Sequence, residues 1–270
     1  MQAELAVHER AKSAALPVAR SAREAREKRL ALALLVPSVL IPMLLMLTFL
    51  FGIGMTFTQW RLTTGFVRFN GLDNYLEGLR RGRGVVFMTA HFGAWEMSSF
   101  AHALYGYPLK FVVRPIDNRR VEELVSSYRT LSGNVPIQRK QAARDILKAL
   151  RQNEAVGILF DQNTTRSEGV FAEFFGIPAA TTPSIALFAL RAGAAVIPGF
   201  LIWDEKMKKH RLRLDPPVQL IETGDLSRDV LENTKKFNKI LEGYVRKYPD
   251  QWLWIHRRWK TRPEGEPAIY

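Results

Sequence analysis

Residues 85–100, VVFMTAHFGAWEMSSF, decide how the rest of the chain is read. Four apolar residues in the five positions Val85 to Thr89 predict a short buried strand. Ala90 and Gly93 are small enough for a tight turn. From Trp95 the series Trp95, Met97, Phe100, Ala101 and Leu104 has a roughly helical period. His91 is therefore expected where a strand ends and a helix begins, with Glu96 in the helix's first turns. On one helix the two would diverge, because facing neighbours lie three or four residues apart. Across a strand–turn–helix junction they can converge. A carboxylate bonded to one imidazole nitrogen fixes the tautomer and raises the basicity of the other. Such a dyad can take a proton from a hydroxyl, and the free N–H groups of the helix start suit a developing oxyanion. Taken alone, H-x4-E is better explained by a buried histidine satisfied by a neighbouring acid.

A chain of 270 residues, 47% apolar and 24% charged, has the composition of a globular protein with one large core or two small ones. It holds no cysteine, which excludes disulfides, a thiol nucleophile and cysteine-ligated metals. The formal charge of +13 suits an anionic membrane surface, nucleic acid or acidic ligands. No homeodomain, zinc-finger or RNP-type signature accompanies it, so no nucleic-acid partner is expected.

Residues 1–29 form a polar tail ending in Arg20, Arg23, Arg26, Lys28 and Arg29. Residues 30–57 then carry no charge over 28 positions, enough to cross a bilayer core, for which about 20 suffice. This segment is expected to be a transmembrane or membrane-inserted anchor, kinked at Pro37 and Pro42. The flanking basic residues mildly favour a cytoplasmic N-terminus, whereas a half-inserted anchor would keep both flanks inside. Residues 58–83 read as a connector ending in Arg80, Arg81 and Arg83. Residues 84–270 read as one domain of alternating strands (109–113, 155–160, 194–203, 211–214) and helices (119–131, 141–152, 182–192, 229–247). That alternation predicts an α/β fold with a mostly parallel sheet.

Asp161-Gln162-Asn163 follows a predicted strand, where open α/β sheets bind ligands. Asp161 is expected to orient Arg129 or a substrate hydroxyl; a cap or turn role explains it equally well. In FAEFFGIPAA, 171–180, Phe174 and Phe175 either wall an acyl-chain groove or belong to a packed hairpin. In PDQWLWIHRRWKTRP, 249–263, tryptophans interleave with Arg257 and Arg258, which suits a membrane interface and phosphorylated head groups. Tryptophans packed inward beneath solvated charges fit as well.

Together TAHFGAWE (89–96), RPIDN (114–118), YRTLSGN (128–134), GILFDQN (157–163), FFGIPAATTPS (174–184) and PDQWLWIHRRWKTRP resemble the lipid A biosynthesis acyltransferase family over about residues 70–263. The resemblance implies a glycerolipid-acyltransferase-like α/β fold. It implies His91 as general base with Glu96 as its partner, and Arg129 and Asp161 as further catalytic residues. Arg114, Gln162, Phe174, Phe175, Arg257 and Arg258 are then expected to bind substrate. It further implies transfer of a fatty acyl group from acyl carrier protein to a hydroxyl of an anionic glycolipid, the lipid A precursor. The implied place is the cytoplasmic face of the bacterial inner membrane, with no metal or cofactor. Family members usually carry a longer helical region before the H-x4-E motif; here 33 residues separate Phe57 from His91. Residues 33–78 also look like the first span of a sugar-type ABC transporter permease. Alternative readings are acylation of another glycolipid, such as a phosphatidylinositol mannoside, from acyl-CoA, and a non-catalytic membrane protein or transporter fragment.

Overall fold

Thr89 at the end of the first strand lies directly opposite Leu159 on a parallel neighbour, and the whole architecture serves that pairing. The computed structural model describes residues 71–113, 115–138 and 142–270. The tail, the expected anchor at 30–57 and most of the expected connector lie outside the described residues. Among the described residues, no helix is long and apolar enough to cross a membrane.

The element order is α1 (Leu72–Arg80), β1 (Val85–Thr89), α2 (Trp95–Leu104), β2 (Lys110–Val113), α3 (Arg119–Thr130), β3 (Val135–Gln138), α4 (Ala142–Arg151) and β4 (Ala155–Leu159). Then come β5 (Val170–Phe174), β6 (Ile177–Thr181), α5 (Ser184–Ala192), β7 (Ala195–Asp204), β8 (Lys209–Leu214), α6 (Leu226–Lys247) and a 3-10 turn (Pro249–Gln251). Six strands form one sheet in the order β3-β2-β4-β1-β7-β8. All pairings in it are parallel except β7 with β8, which is antiparallel. The expected mixed α/β fold with a mostly parallel sheet is therefore present, with an antiparallel strand at one edge.

β1 is central and apolar on both faces, and Val85 to Met88 are all buried, as a strand covered on two sides requires. One face packs beneath α4, α5 and α6 through Val86, Met88, Ile146, Ile185, Val196 and Phe237. The other packs Phe87, Leu109, Ile197 and Leu212 against Tyr75 and Ala101 of α1 and α2. Helix α1 falls in the stretch read as a connector, yet it contributes Tyr75, in ring contact with Phe87, to this core. Gly78 lets it lie close, because a Cβ there would meet Val85 Cγ2 at 2.9 Å.

The phenylalanine-rich run 171–180 forms the hairpin β5–β6. Its two loop residues, Phe175 and Gly176, both have positive φ (54° and 78°), the backbone that matches strand twist in a two-residue hairpin. Asn238 of α6 donates to Ala172 O and Glu173 O, and Glu242 accepts the Phe175 amide, so α6 holds the hairpin.

Candidate active site

Strand register places the two central groups. His91 lies two residues beyond Thr89 and Asp161 two beyond Leu159, and Thr89 and Leu159 are register partners. Both chains therefore emerge side by side at the carboxyl edge of the sheet. There Asp161 Oδ1 lies 2.8 Å from His91 Nδ1, and Asp161 Oδ2 accepts the His91 backbone N–H at 3.1 Å. Trp252 Nε1 donates to the same Oδ2 at 3.0 Å.

Asp161 is 3% exposed. Burial pushes its carboxyl up, but the bond and charge of the His91 ring, the Trp252 indole and the His91 amide outweigh it and hold the group below the usual carboxylate range. An ionised Asp161 can only accept, so Nδ1 carries the hydrogen, and in the neutral ring the lone pair then lies on Nε2. The Gln162 amide Nε2 stands 3.3 Å from it. Trp95 meets the ring edge-on at 5.5 Å between centroids.

Glu96 is not the partner of His91. Its Oε1 accepts from Arg129 Nη2 at 2.7 Å and its Oε2 from Arg129 Nε at 3.3 Å, a two-pronged pair. Asp161, expected to orient Arg129 or a substrate hydroxyl, is bonded to His91. The physical reason is direction. α2 opens at Trp95, and Glu96 leaves its exposed first turn toward α3, while β4 delivers Asp161 directly beneath the imidazole. Arg129 rides on α3, whose start is capped by the Asn118 side chain accepting from Arg120 N and Val121 N.

The turn between β1 and α2 is pinned on both sides. Gly93 has φ of 58°, and a Cβ there would lie 2.2 Å from Leu201 O. Its amide donates to Gln251 O, and the Ala94 amide donates to Leu201 O. The Met97 and Ser98 amides turn back to Ala94 O. The Trp95 and Glu96 amides have no backbone acceptor among the described residues.

Below the dyad a cavity of about 390 Å³ runs between α2 and the sheet. His91, Glu96, Gln162 and Arg129 stand among its lining residues, together with apolar Phe87, Phe111 and Leu159. His102, also lining it, is 2% exposed and in ring contact with Phe87; burial drives its pKa down to about 3, so it is neutral.

The segment from Pro249 packs behind the dyad, outside the cavity lining. Phe92 bridges to Trp252, and Leu253 N donates to His91 O. His256 Nε2 accepts the Asn163 amide at 2.6 Å, and Asn163 exchanges two bonds with Thr261. The His91–Asp161 pairing and the indole that completes it were not read from the sequence. The signal available was the tryptophan of DQWLW beside an aspartate-bearing loop.

The remaining expected substrate contacts lie elsewhere. Arg258 is fully buried, donating to Ala180 O and Thr181 Oγ1 over the Phe174 ring. Phe174 is itself buried against Trp252 and Trp259. Phe175 stacks under Arg246. Arg257 is exposed above the Tyr270 ring. None of these four lines the cavity. The FAEFF run thus packs as a hairpin, and among the described residues it stands apart from this cavity. Arg114 lies outside the described residues.

A histidine held on a buried carboxylate at the carboxyl edge of a parallel sheet, over a cavity lined by both polar and apolar side chains, defines an α/β protein with a candidate general base. The family described as bacterial lipid A biosynthesis acyltransferase matches residues 48–261, and the chain belongs to it. It is 32% identical over 201 residues to the lipid A biosynthesis palmitoleoyltransferase of Escherichia coli (strain K12), covering 74% of this chain and 63% of that protein. Similarity extends to the lipid A biosynthesis lauroyltransferase of the same strain, 28% identical over 74% of this chain and 64% of that one. A lipid A biosynthesis acyltransferase of Haemophilus influenzae is 26% identical over 73% of this chain and 60% of its own length. The matched part thus spans a little under two thirds of these relatives.

Proposed function

We propose that the chain is a membrane-bound O-acyltransferase that moves a fatty acyl group from acyl carrier protein to a hydroxyl of a lipid A precursor, in a domain formed by about residues 84–270. The observation that carries this reading is the His91–Asp161 bond at the cavity mouth, in a chain belonging to this family. Family membership supports the lipid acceptor and the bacterial membrane as the setting. The net charge of +13 suits an acidic carrier and an anionic glycolipid.

His91 Nε2 takes the proton of the acceptor hydroxyl as its oxygen attacks the thioester carbonyl. Asp161 holds the imidazole tautomer and stabilises the imidazolium that forms. The new C–O bond gives a tetrahedral oxyanion, which the Trp95 and Glu96 amides at the start of α2 are placed to receive. The C–S bond then breaks, and the carrier thiolate takes the proton back from Nε2. Arg129, fixed by Glu96, presents a cation to the same cavity for the phosphorylated acceptor or the oxyanion. The apolar lining of Phe87, Phe111 and Leu159 suits the acyl chain.

The test uses labelled acyl-acyl carrier protein and tetra-acylated Kdo-lipid A, with wild type beside His91→Ala. Wild type is expected to transfer the label and His91→Ala to lose about 10²–10⁴-fold in kcat, the range of general-base catalysis. Equal turnover by a folded His91→Ala protein overturns the mechanism. Absence of transfer by folded wild type overturns the donor–acceptor pair.

A further inference from the structure

Helix α3 is built inside out. A helix in an α/β domain turns its apolar stripe to the sheet and its polar face to water. In α3 the partly shielded positions include Glu122, Ser126 and Arg129, tied by hydrogen bonds from Ile116 N and Ser126 Oγ to Glu122 and from Arg129 to Glu96. Val125 shares that shielded side, but the other apolar residues face outward. Val121 is 42%, Leu124 57%, Tyr128 55% and Leu131 73% exposed, and Val135 at the start of edge strand β3 is 47% exposed. The spacings of three, four and three from Val121 to Leu131 set these on one side of the helix. No residue of α3 is buried.

Two features identify what meets this stripe. The first is charge. Arg119 and Arg120, both exposed, open α3, and exposed Arg144 lies in the first turn of α4. The parallel sheet brings both helix starts to the same carboxyl edge. Residues 114–151 carry nine Lys/Arg against four Asp/Glu. An apolar stripe with a cationic end matches the interface of an anionic bilayer, where acyl chains take the stripe and phosphates take the arginines. The second is continuity with the site. Arg129, on the opposite side of the same helix, lines the cavity below His91. A bilayer against the outer side of α3 therefore lies about one helix diameter, ~10 Å, from the cavity wall.

We propose that the Val121–Leu124–Tyr128–Leu131 stripe of α3 docks on the surface of an anionic lipid bilayer, independently of any anchor at 30–57. This goes beyond the acyl-transfer reading and does not depend on turnover.

The chain has no cysteine, so single cysteines introduced by Leu124→Cys, Leu131→Cys and Ser227→Cys give unambiguous labelling sites; Ser227 is an exposed residue of α6. Each full-length variant, labelled with bimane, is reconstituted into phosphatidylethanolamine–phosphatidylglycerol vesicles with and without nitroxide-bearing lipid. Circular dichroism confirms native folding. The expected result is several-fold stronger quenching by nitroxide lipid at 124 and 131 than at 227, with protection of both from aqueous iodide. Quenching of 124 and 131 by iodide alone overturns the proposal, since the stripe then faces water. Protection from both quenchers overturns it too, since another part of this chain or a second copy then covers the stripe.

Discussion

Glu96 and Arg129, 33 residues apart in sequence, form a two-pronged ion pair at 2.7 and 3.3 Å, while the imidazole of His91 rests on Asp161. The site thus contains two hydrogen-bonded pairs where the motif spacing suggested one. Asp161→Asn is expected to lower kcat by about 10²–10⁴-fold, through loss of the charge that stabilises the imidazolium and of the fixed tautomer. In a double-mutant cycle, Glu96→Gln and Arg129→Gln should be strongly non-additive with each other. Glu96→Gln and Asp161→Asn should be close to additive. The reverse pattern of coupling would assign Glu96 to the imidazole after all.

Trp252 acts on the dyad without facing the cavity. Trp252→Phe keeps the ring against Phe174 and removes the donor to Asp161 Oδ2. A hydrogen bond to a charged group contributes about 1.5–3 kcal/mol, so stability near neutral pH should fall by about that amount in urea melts. The sign with pH follows from the depressed Asp161 carboxyl. Its stabilisation is present above the ordinary value of about 4 and is lost as pH falls through the folded value. Removing the indole moves that loss to higher pH. The kcat profile should shift its acid limb the same way, with KM little changed.

His102 predicts a second pH dependence. It stays neutral in the fold, with a pKa of about 3 caused by burial. The unfolded chain takes up its proton near pH 6.5, so folding opposes protonation between about 6.5 and about 3. Wild type should lose on the order of 1.4 kcal/mol per pH unit across that window from this residue. His102→Leu should flatten the curve of melting temperature against pH, and an unchanged slope would show that the imidazole reaches water.

Gly93→Ala tests the turn that presents His91. A left-handed backbone costs a non-glycine residue about 1–2 kcal/mol, and the added Cβ would also collide with Leu201 O at 2.2 Å. The expected outcome is a destabilised protein in thermal melts. Its kcat should fall further than its melting temperature explains, because the Ala94 amide leaves Leu201 O.

The α/β alternation, β1, α2 and most element positions were legible because they rest on local apolar period. The strand–turn–helix seat of His91 was legible for the same reason. What was not legible depends on pairing between distant strands. Nothing in residues 85–100 says that β1 lies against β4, so the partner of His91 was sought five residues away instead of 70. Strand β3 was missed because VPIQ is short and carries Pro136, which only an edge position tolerates. Helix α1 was missed because Gly78 and its charges read as a connector. The arginine of HRRW looked like a ligand-facing cation, and only the buried acceptors at Ala180 O and Thr181 Oγ1 reveal Arg258 as a pin.

The segment 249–262 has a consequence for synthesis. Trp252 lies 91 residues after Asp161, and Arg258 and Arg262 fasten the same segment to the β5–β6 hairpin. While the chain is emerging from a ribosome, the sheet and His91 are available well before the groups that hold Asp161 in place. A chain that ends before residue 252 therefore lacks the indole donor to Asp161 Oδ2 and both arginines that fasten the hairpin.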